Sequence, residues 1–209
     1  MSQYAAVRRR TDLWVPFALV ALTLIPLVSG TLRLVEVAGG PAVMPDNPRI
    51  DASPAPVVVH VVGAAAYAVV GAFQFSARVR RTHLNWHRRA GRVLVVAGLL
   101  VAGSGLWMTL FYAGAPGGAL LWSVRLVVAS AMGVCLVLGF AAIRRRAISV
   151  HRAWMIRAYA LGLGAGTQVF TQGVGQAAFG TGEVSTALSI SAGWLVNAAI
   201  AEFVVRRQT

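Results

Sequence analysis

Apolar runs of about 20 residues recur along the chain at 13–37, 57–77, 92–113, 119–143, 150–172 and 185–205, each separated from the next by a polar or glycine- and proline-rich junction. A helix rises ~1.5 Å per residue, so each run can cross the ~30 Å hydrocarbon core of a bilayer. The runs are too long and too uniformly apolar for the alternating strands of a membrane barrel, and a backbone in lipid must satisfy its own hydrogen bonds. The pattern therefore predicts an all-α integral membrane bundle of about six transmembrane helices, a single transmembrane domain over 1–209. Pro16 and Pro26 are expected to kink the first span. The segment 39–56, rich in Pro, Asp and Asn, reads as an ordered external loop or cap. The first run also follows Arg8, Arg9 and Arg10 and reaches the small-residue site Val28-Ser29-Gly30, as a secretory signal would, but its apolar part exceeds the roughly 7 to 15 residues of such signals.

Polar punctuation sets the orientation. Arg8 to Arg10 precede the first span, six arginines lie between Arg78 and Arg92, Arg144 to Arg146 and Arg152 flank the start of the fifth, and Arg206 and Arg207 close the last. The alternate junctions hold Glu36, Asp46, Asp51 and Glu183 against only Arg33 and Arg49. Positively charged loops stay in the cytoplasm, so both termini and the basic loop 78–91 are expected there.

Composition sharpens this picture. Of the 209 residues 57% are hydrophobic and 12% charged, with a mean hydropathy of +0.70, so most of the surface must face lipid. The net charge of +13 would suggest nucleic acid in a soluble module, but here the arginines punctuate apolar runs, which argues for topology and against a nucleic-acid partner. Every one of the 19 basic side chains is arginine, and with abundant Ala, Val and Gly this reads as a GC-rich bacterial genome. The expected location is the bacterial cytoplasmic (inner) membrane. The single cysteine, Cys135, excludes an internal disulfide or a multi-thiolate metal site and reads as core packing.

The strongest local pattern is His87-Arg88-Arg89-Ala90-Gly91-Arg92 before the third span, echoed by His151-Arg152-Ala153-Trp154-Met155-Ile156-Arg157 entering the fifth. With His60, Gly63, Gly71, Gln74 and Arg78, these motifs resemble the family of predicted bacterial multi-pass membrane proteins called domain of unknown function 2306, over roughly residues 57–172. The resemblance implies a multi-pass architecture in which these positions matter, and no particular reaction.

Depth then sorts the candidates. Arg157 falls ~10 Å inside the cytoplasmic end of the fifth span, and Gln74 about a turn inside the same end of the second. With His87 and His151 at that interface they form an inner polar cluster. Arg88, Arg89, Arg92 and Arg152 read first as charges at the lipid phosphates. For Arg157 two readings stand: snorkelling, or contact with a protein interior or an anionic ligand. An outer polar pocket is expected from His60 and Arg125 at one depth, which Gln168 and Gln172 on one helix face could complete, although the glutamines read first as interhelical hydrogen bonding. No acid lies at the depth of Arg125 unless Glu36 or Glu183 folds in, and an anionic ligand would meet the same need. The run Gly162-x-Gly164-x-Gly166 reads as close helix packing.

Two histidines from different spans at one depth are the arrangement by which membrane cytochromes hold haem b, so His87 and His151 are candidate ligands of a haem iron, with Arg88, Arg152 or Arg157 for an acid group and Gln74 nearby. The same side chains could hydrogen-bond a quinone head. Met108 reads as filler and His83 as solvated. No His-Glu-x-x-His run, phosphate loop or nucleophile elbow is present. Three function classes follow: a redox or cofactor-binding membrane protein, a transporter or lipid-binding protein for an anionic small molecule or anionic lipid, and a non-catalytic accessory subunit.

Overall fold

The computed structural model describes residues 14–114 and 116–207. Of these, 85% are helical, and none lies in a strand. Arg8 to Arg10 and the start of the first span lie outside the described residues. The helices are α1 (Trp14–Leu22), α2 (Leu24–Val37), α3 (Pro48–Ala52), α4 (Ala55–Gln74), α5 (Ala77–Thr82), α6 (Leu84–Phe111), α7 (Gly118–Arg144), α8 (Ile148–Gly162), α9 (Gly164–Phe179) and α10 (Glu183–Arg206). Four of them, α4, α6, α7 and α10, are long and apolar enough to cross a membrane, and the α1–α2 pair would make a fifth.

The α1–α2 pair bends by 49° at Thr23. Proline explains it: the ring of Pro26 abuts the carbonyl four residues back, that of Leu22, and supplies no N–H to it. Thr23 turns its hydroxyl onto the Val20 carbonyl at 2.8 Å. The expected fifth span is not one helix. It breaks at Leu163 into α8 and α9, of 15 and 16 residues, and α9 runs on to Phe179, past the end of the apolar run at 172. No proline marks this break. The three glycines around it sit where any β-carbon would collide: with the Tyr67 ring at Gly162, the Trp194 indole nitrogen at Gly164 and the Leu22 carbonyl at Gly166. The two broken helices thus meet at their breaks.

Helix α4 packs on α6, α6 on α7 and α7 on α8, while α10 lies along both α8 and α9. The core shared by α4, α6, α7 and α8 contains Tyr67, Ala72, Leu94, Met132, Leu136, Ala158 and Tyr159, together with Cys135, which is a buried free thiol. Small residues allow the aromatic centre. Gly71 accepts the Tyr159 ring, whose hydroxyl donates to the Ala68 carbonyl at 2.7 Å, and Tyr67 and Phe75 flank it with centroids 5.6 and 4.8 Å away. A deep tyrosine needs such an acceptor, because an unmade hydrogen bond in the core costs about 1–3 kcal/mol.

Candidate functional site

At the bundle end away from the arginine-rich loops, a cavity of about 360 Å³ opens between α4, α6, α7, the α8–α9 break and α10. Its volume lies at the small end of the ~300–1,000 Å³ typical of small-molecule sites. The floor is apolar, with Met132, Val128 and Leu161, and the polar lining includes Arg49, His60, Arg125 and Gln168. Met108, read as filler, also lines it.

Two arginines lie within electrostatic reach of each other here. Arg125, about two turns into α7, is half-buried and among the described residues makes only a long bond, 3.4 Å, to the Pro116 carbonyl. Arg49 comes from the short helix α3, its Nε donating to Asn47 Oδ1 at 3.0 Å. Among the described residues no carboxylate lines the cavity. Both acids suggested as partners for Arg125 are engaged elsewhere: Glu36 pairs with Arg33 and accepts from the Val43 and Met44 amides, and Glu183 lies against the Gly118 backbone.

Arg49 is held over the site by an ordered cap. The Glu36 carboxylate pins one side of the loop, and Arg33 adds a bond to the Pro45 carbonyl at 2.8 Å. On the other side the Tyr112 hydroxyl, just beyond α6, donates to the Ser53 carbonyl at 2.5 Å. Burial raises the ionisation of this phenol above its ordinary value, against the smaller opposing pull of Arg49, so it remains a donor at neutral pH.

His60 bonds through Nδ1, which lies 3.2 Å from the Val101 carbonyl and 3.1 Å from Ser104 Oγ. A carbonyl accepts only from a protonated nitrogen, so the contact selects the Nδ1–H tautomer and leaves Nε2 with a lone pair. Gln168 donates to the Ile190 carbonyl at 3.2 Å. Gln172, one turn further along α9, does not line the cavity. The break beside the site is bridged by a residue that sequence reasoning passed over: Asn197 of α10 donates to the Ala160 carbonyl of α8 at 3.0 Å and accepts from Thr167 of α9 at 2.7 Å.

At the opposite end, His151 of α8 comes within electrostatic reach of His87 of α6, and so do Arg80 and Arg88. His151 Nδ1 lies 2.8 Å from the Gly139 carbonyl. Gln74 faces α6 beside Gly91, one turn from His87. The Gln74 Nε2 and His87 Nδ1 atoms are buried and have no hydrogen-bond partner among the described residues. Arg88 and Arg152 are exposed. Neither described cavity is lined by His87 or His151, and among the described residues no three His, Cys, Asp or Glu side chains gather around one point.

Arg157 is neither snorkelling alone nor left to a ligand. Its guanidinium grips Glu202 of α10 with two bonds, Nε to Oε1 at 2.5 Å and Nη2 to Oε2 at 2.9 Å, and lies 4.9 Å from the Trp154 ring centroid. Glu202 is an acid within a span at a depth matching Arg157, a signal that sequence reasoning missed.

Neither a curated protein nor a solved structure matches the chain. A family model described as predicted membrane protein (DUF2306) matches residues 57–205, reaching beyond the motif-bearing segment to take in α9 and α10. The match thus spans both histidine motifs, the broken α8–α9 pair, the Arg157–Glu202 tie and all of the cavity lining except Arg49. On that extent, and with four apolar helices of membrane-crossing length, the chain belongs to the domain of unknown function 2306 family of predicted membrane proteins.

Proposed function

We propose that this protein is a six-span membrane carrier or receptor for a small organic anion, held in the cavity between Arg49 and Arg125. One observation carries the reading: two guanidinium groups line a single cavity to which no carboxylate of the described residues contributes. A cation away from water needs a counter-charge, and a carboxylate or phosphate on the ligand supplies it with charge-assisted bonds. His60 and Gln168 add polar contacts, and the apolar floor takes a hydrocarbon body. The spans are α1–α2, α4, α6, α7, α8–α9 and α10, with the arginine-rich end cytoplasmic by the positive-inside rule and the cavity external. Transport is supported by the broken pair: residues on both sides of the Leu163 break line the cavity, as discontinuous helices do at carrier sites. The test is a thermostability screen of purified protein with organic carboxylates and alkyl phosphates. A stabilising anion whose effect disappears in Arg125→Leu supports the reading, and full retention of the effect in that variant refutes it.

A second reading concerns the other end. The Gln74 Nε2 and His87 Nδ1 atoms, without a hydrogen-bond partner among the described residues, favour a bound group there, and His151, donating through Nδ1 to Gly139, presents Nε2 as ligating histidines do. Haem b between His87 and His151, or a quinone head bonded to them, fits these residues. Oxidised and dithionite-reduced absorption spectra decide on haem: a sharp α-band lost in His87→Ala and His151→Ala is required, and a colourless protein from haem-replete cells ends that assignment.

A further inference from the structure

We propose that the lipid-facing seam between α4 and α6 is a binding site for one anionic phospholipid of the leaflet on the arginine-rich side. The seam holds a groove of about 520 Å³, separate from the anion cavity, and all nine residues lining it are aliphatic or glycine. It exists because the helices touch closely at one point: a β-carbon on Gly63 would lie 3.1 Å from Val101 Cγ2 and 3.3 Å from the Ala97 carbonyl. Beside that contact the walls fall away, leaving Val93 and Val96 at 65% and 59% exposure.

The groove alone would suit any acyl chain. Its charged end selects among lipids. Leu100, Val96, Val93, Arg89 and Trp86 follow one another along α6 at steps of four and three, so they form a single stripe. Arg89 and Trp86, both exposed, therefore stand at the mouth of the groove. From Arg89 to Leu100 is ~16 Å along the axis, about half the ~30 Å hydrocarbon thickness. The groove is thus one leaflet deep beneath a guanidinium. That places an acyl chain along Val93, Val96 and Leu100, its glycerol beyond Val93 at the level of the Arg89 backbone, and its phosphate near the level of Trp86, within reach of the outward-extending Arg89 guanidinium. Charge complementarity fixes the headgroup class: residues 55–111 hold six arginines and no carboxylate, so a headgroup with net negative charge is favoured over a zwitterion, whose cationic part would meet the same arginines.

Native mass spectrometry of the detergent-solubilised chain, titrated with phosphatidylglycerol and phosphatidylcholine of identical chains, tests this. One phosphatidylglycerol should be retained at concentrations where phosphatidylcholine is lost. Arg89→Gln should weaken phosphatidylglycerol about fivefold, the worth of one arginine near an anionic surface, and leave phosphatidylcholine unchanged. Val96→Trp fills the groove from a lipid-facing position and should abolish the retained lipid. Equal retention of both lipids, unchanged stoichiometry in Val96→Trp, or a dimer that Val96→Trp splits would each overturn the proposal, the last by making the seam a contact between copies. None of these results bears on the anion cavity.

Discussion

The Arg157–Glu202 pair ties α8 to α10, and its energetic coupling reports how dry that region is. Arg157 lies nine residues into α8 and Glu202 four residues before Arg206, so both sit some 6–13 Å along the helix axes from the arginine-rich end. A charged side chain costs ~2.5–3.5 kcal/mol at the centre of a spanning helix, and less toward its end, so leaving either partner alone costs about 2 kcal/mol here. Glu202→Gln and Arg157→Gln should each destabilise by that amount. The double variant leaves no charge unpaired and lets two amides bond, so its loss should fall well below the summed ~4 kcal/mol, to about 2 kcal/mol or less, a coupling of at least ~2 kcal/mol. Reversible unfolding in mixed dodecyl maltoside and dodecyl sulfate micelles, followed by tryptophan fluorescence, measures all four corners. The side chains are 27% and 42% exposed, and the same pair facing water would be worth only ~0–1 kcal/mol. Additive losses, with coupling under ~0.5 kcal/mol, would refute the placement of this pair in the membrane.

Three further outcomes are expected. Asn197→Leu removes both bonds across the α8–α9 break, and at ~0.6 kcal/mol for each interhelical bond it should lower stability by about 1 kcal/mol and raise hydrogen exchange around Leu163. Gly71→Val pushes a side chain into the Tyr159 ring, which a β-carbon would already approach to 2.5 Å, and should cost about 1–3 kcal/mol in the same unfolding assay. In a Cys135→Ser background, Asn85→Cys and Ala147→Cys should resist an impermeant maleimide added to intact cells; labelling of either would reverse the orientation.

Much of this architecture is legible in the chain because lipid imposes a simple rule on it, long apolar runs closed by arginines. The bend at Thr23 is equally legible, since Pro26 names the carbonyl it displaces. The Leu163 break is not, because its cause is tertiary: Trp194, Tyr67 and Leu22 press against three glycines whose spacing alone suggests only close packing. Counting depth along the spans was enough to bring His60, Arg125 and Gln168 together. It could not place Arg49, which stands in a loop whose path depends on the Glu36 and Tyr112 clasps. Nor could it separate Gln168 from Gln172, because one face of α9 is wide enough for the first to meet the cavity and the second to miss it. The Glu202 partner of Arg157 lies 45 residues away, and spacing carries no information about which spans are neighbours.

The central claim, an anion held between Arg49 and Arg125, meets its most direct test in the fluorescence of Trp122 and Trp194, which both line the cavity. Purified protein is titrated with hexanoate, benzoate and hexyl phosphate, each beside its neutral amide or alcohol analogue. Saturable quenching is expected from at least one anion and none from its neutral analogue. Arg125→Gln should weaken that binding about 10- to 100-fold, the worth of one hydrogen bond to a charged group, and the double variant with Arg49→Gln should remove it. Equal binding of anions and neutral analogues, or anion binding untouched by both substitutions, would contradict it.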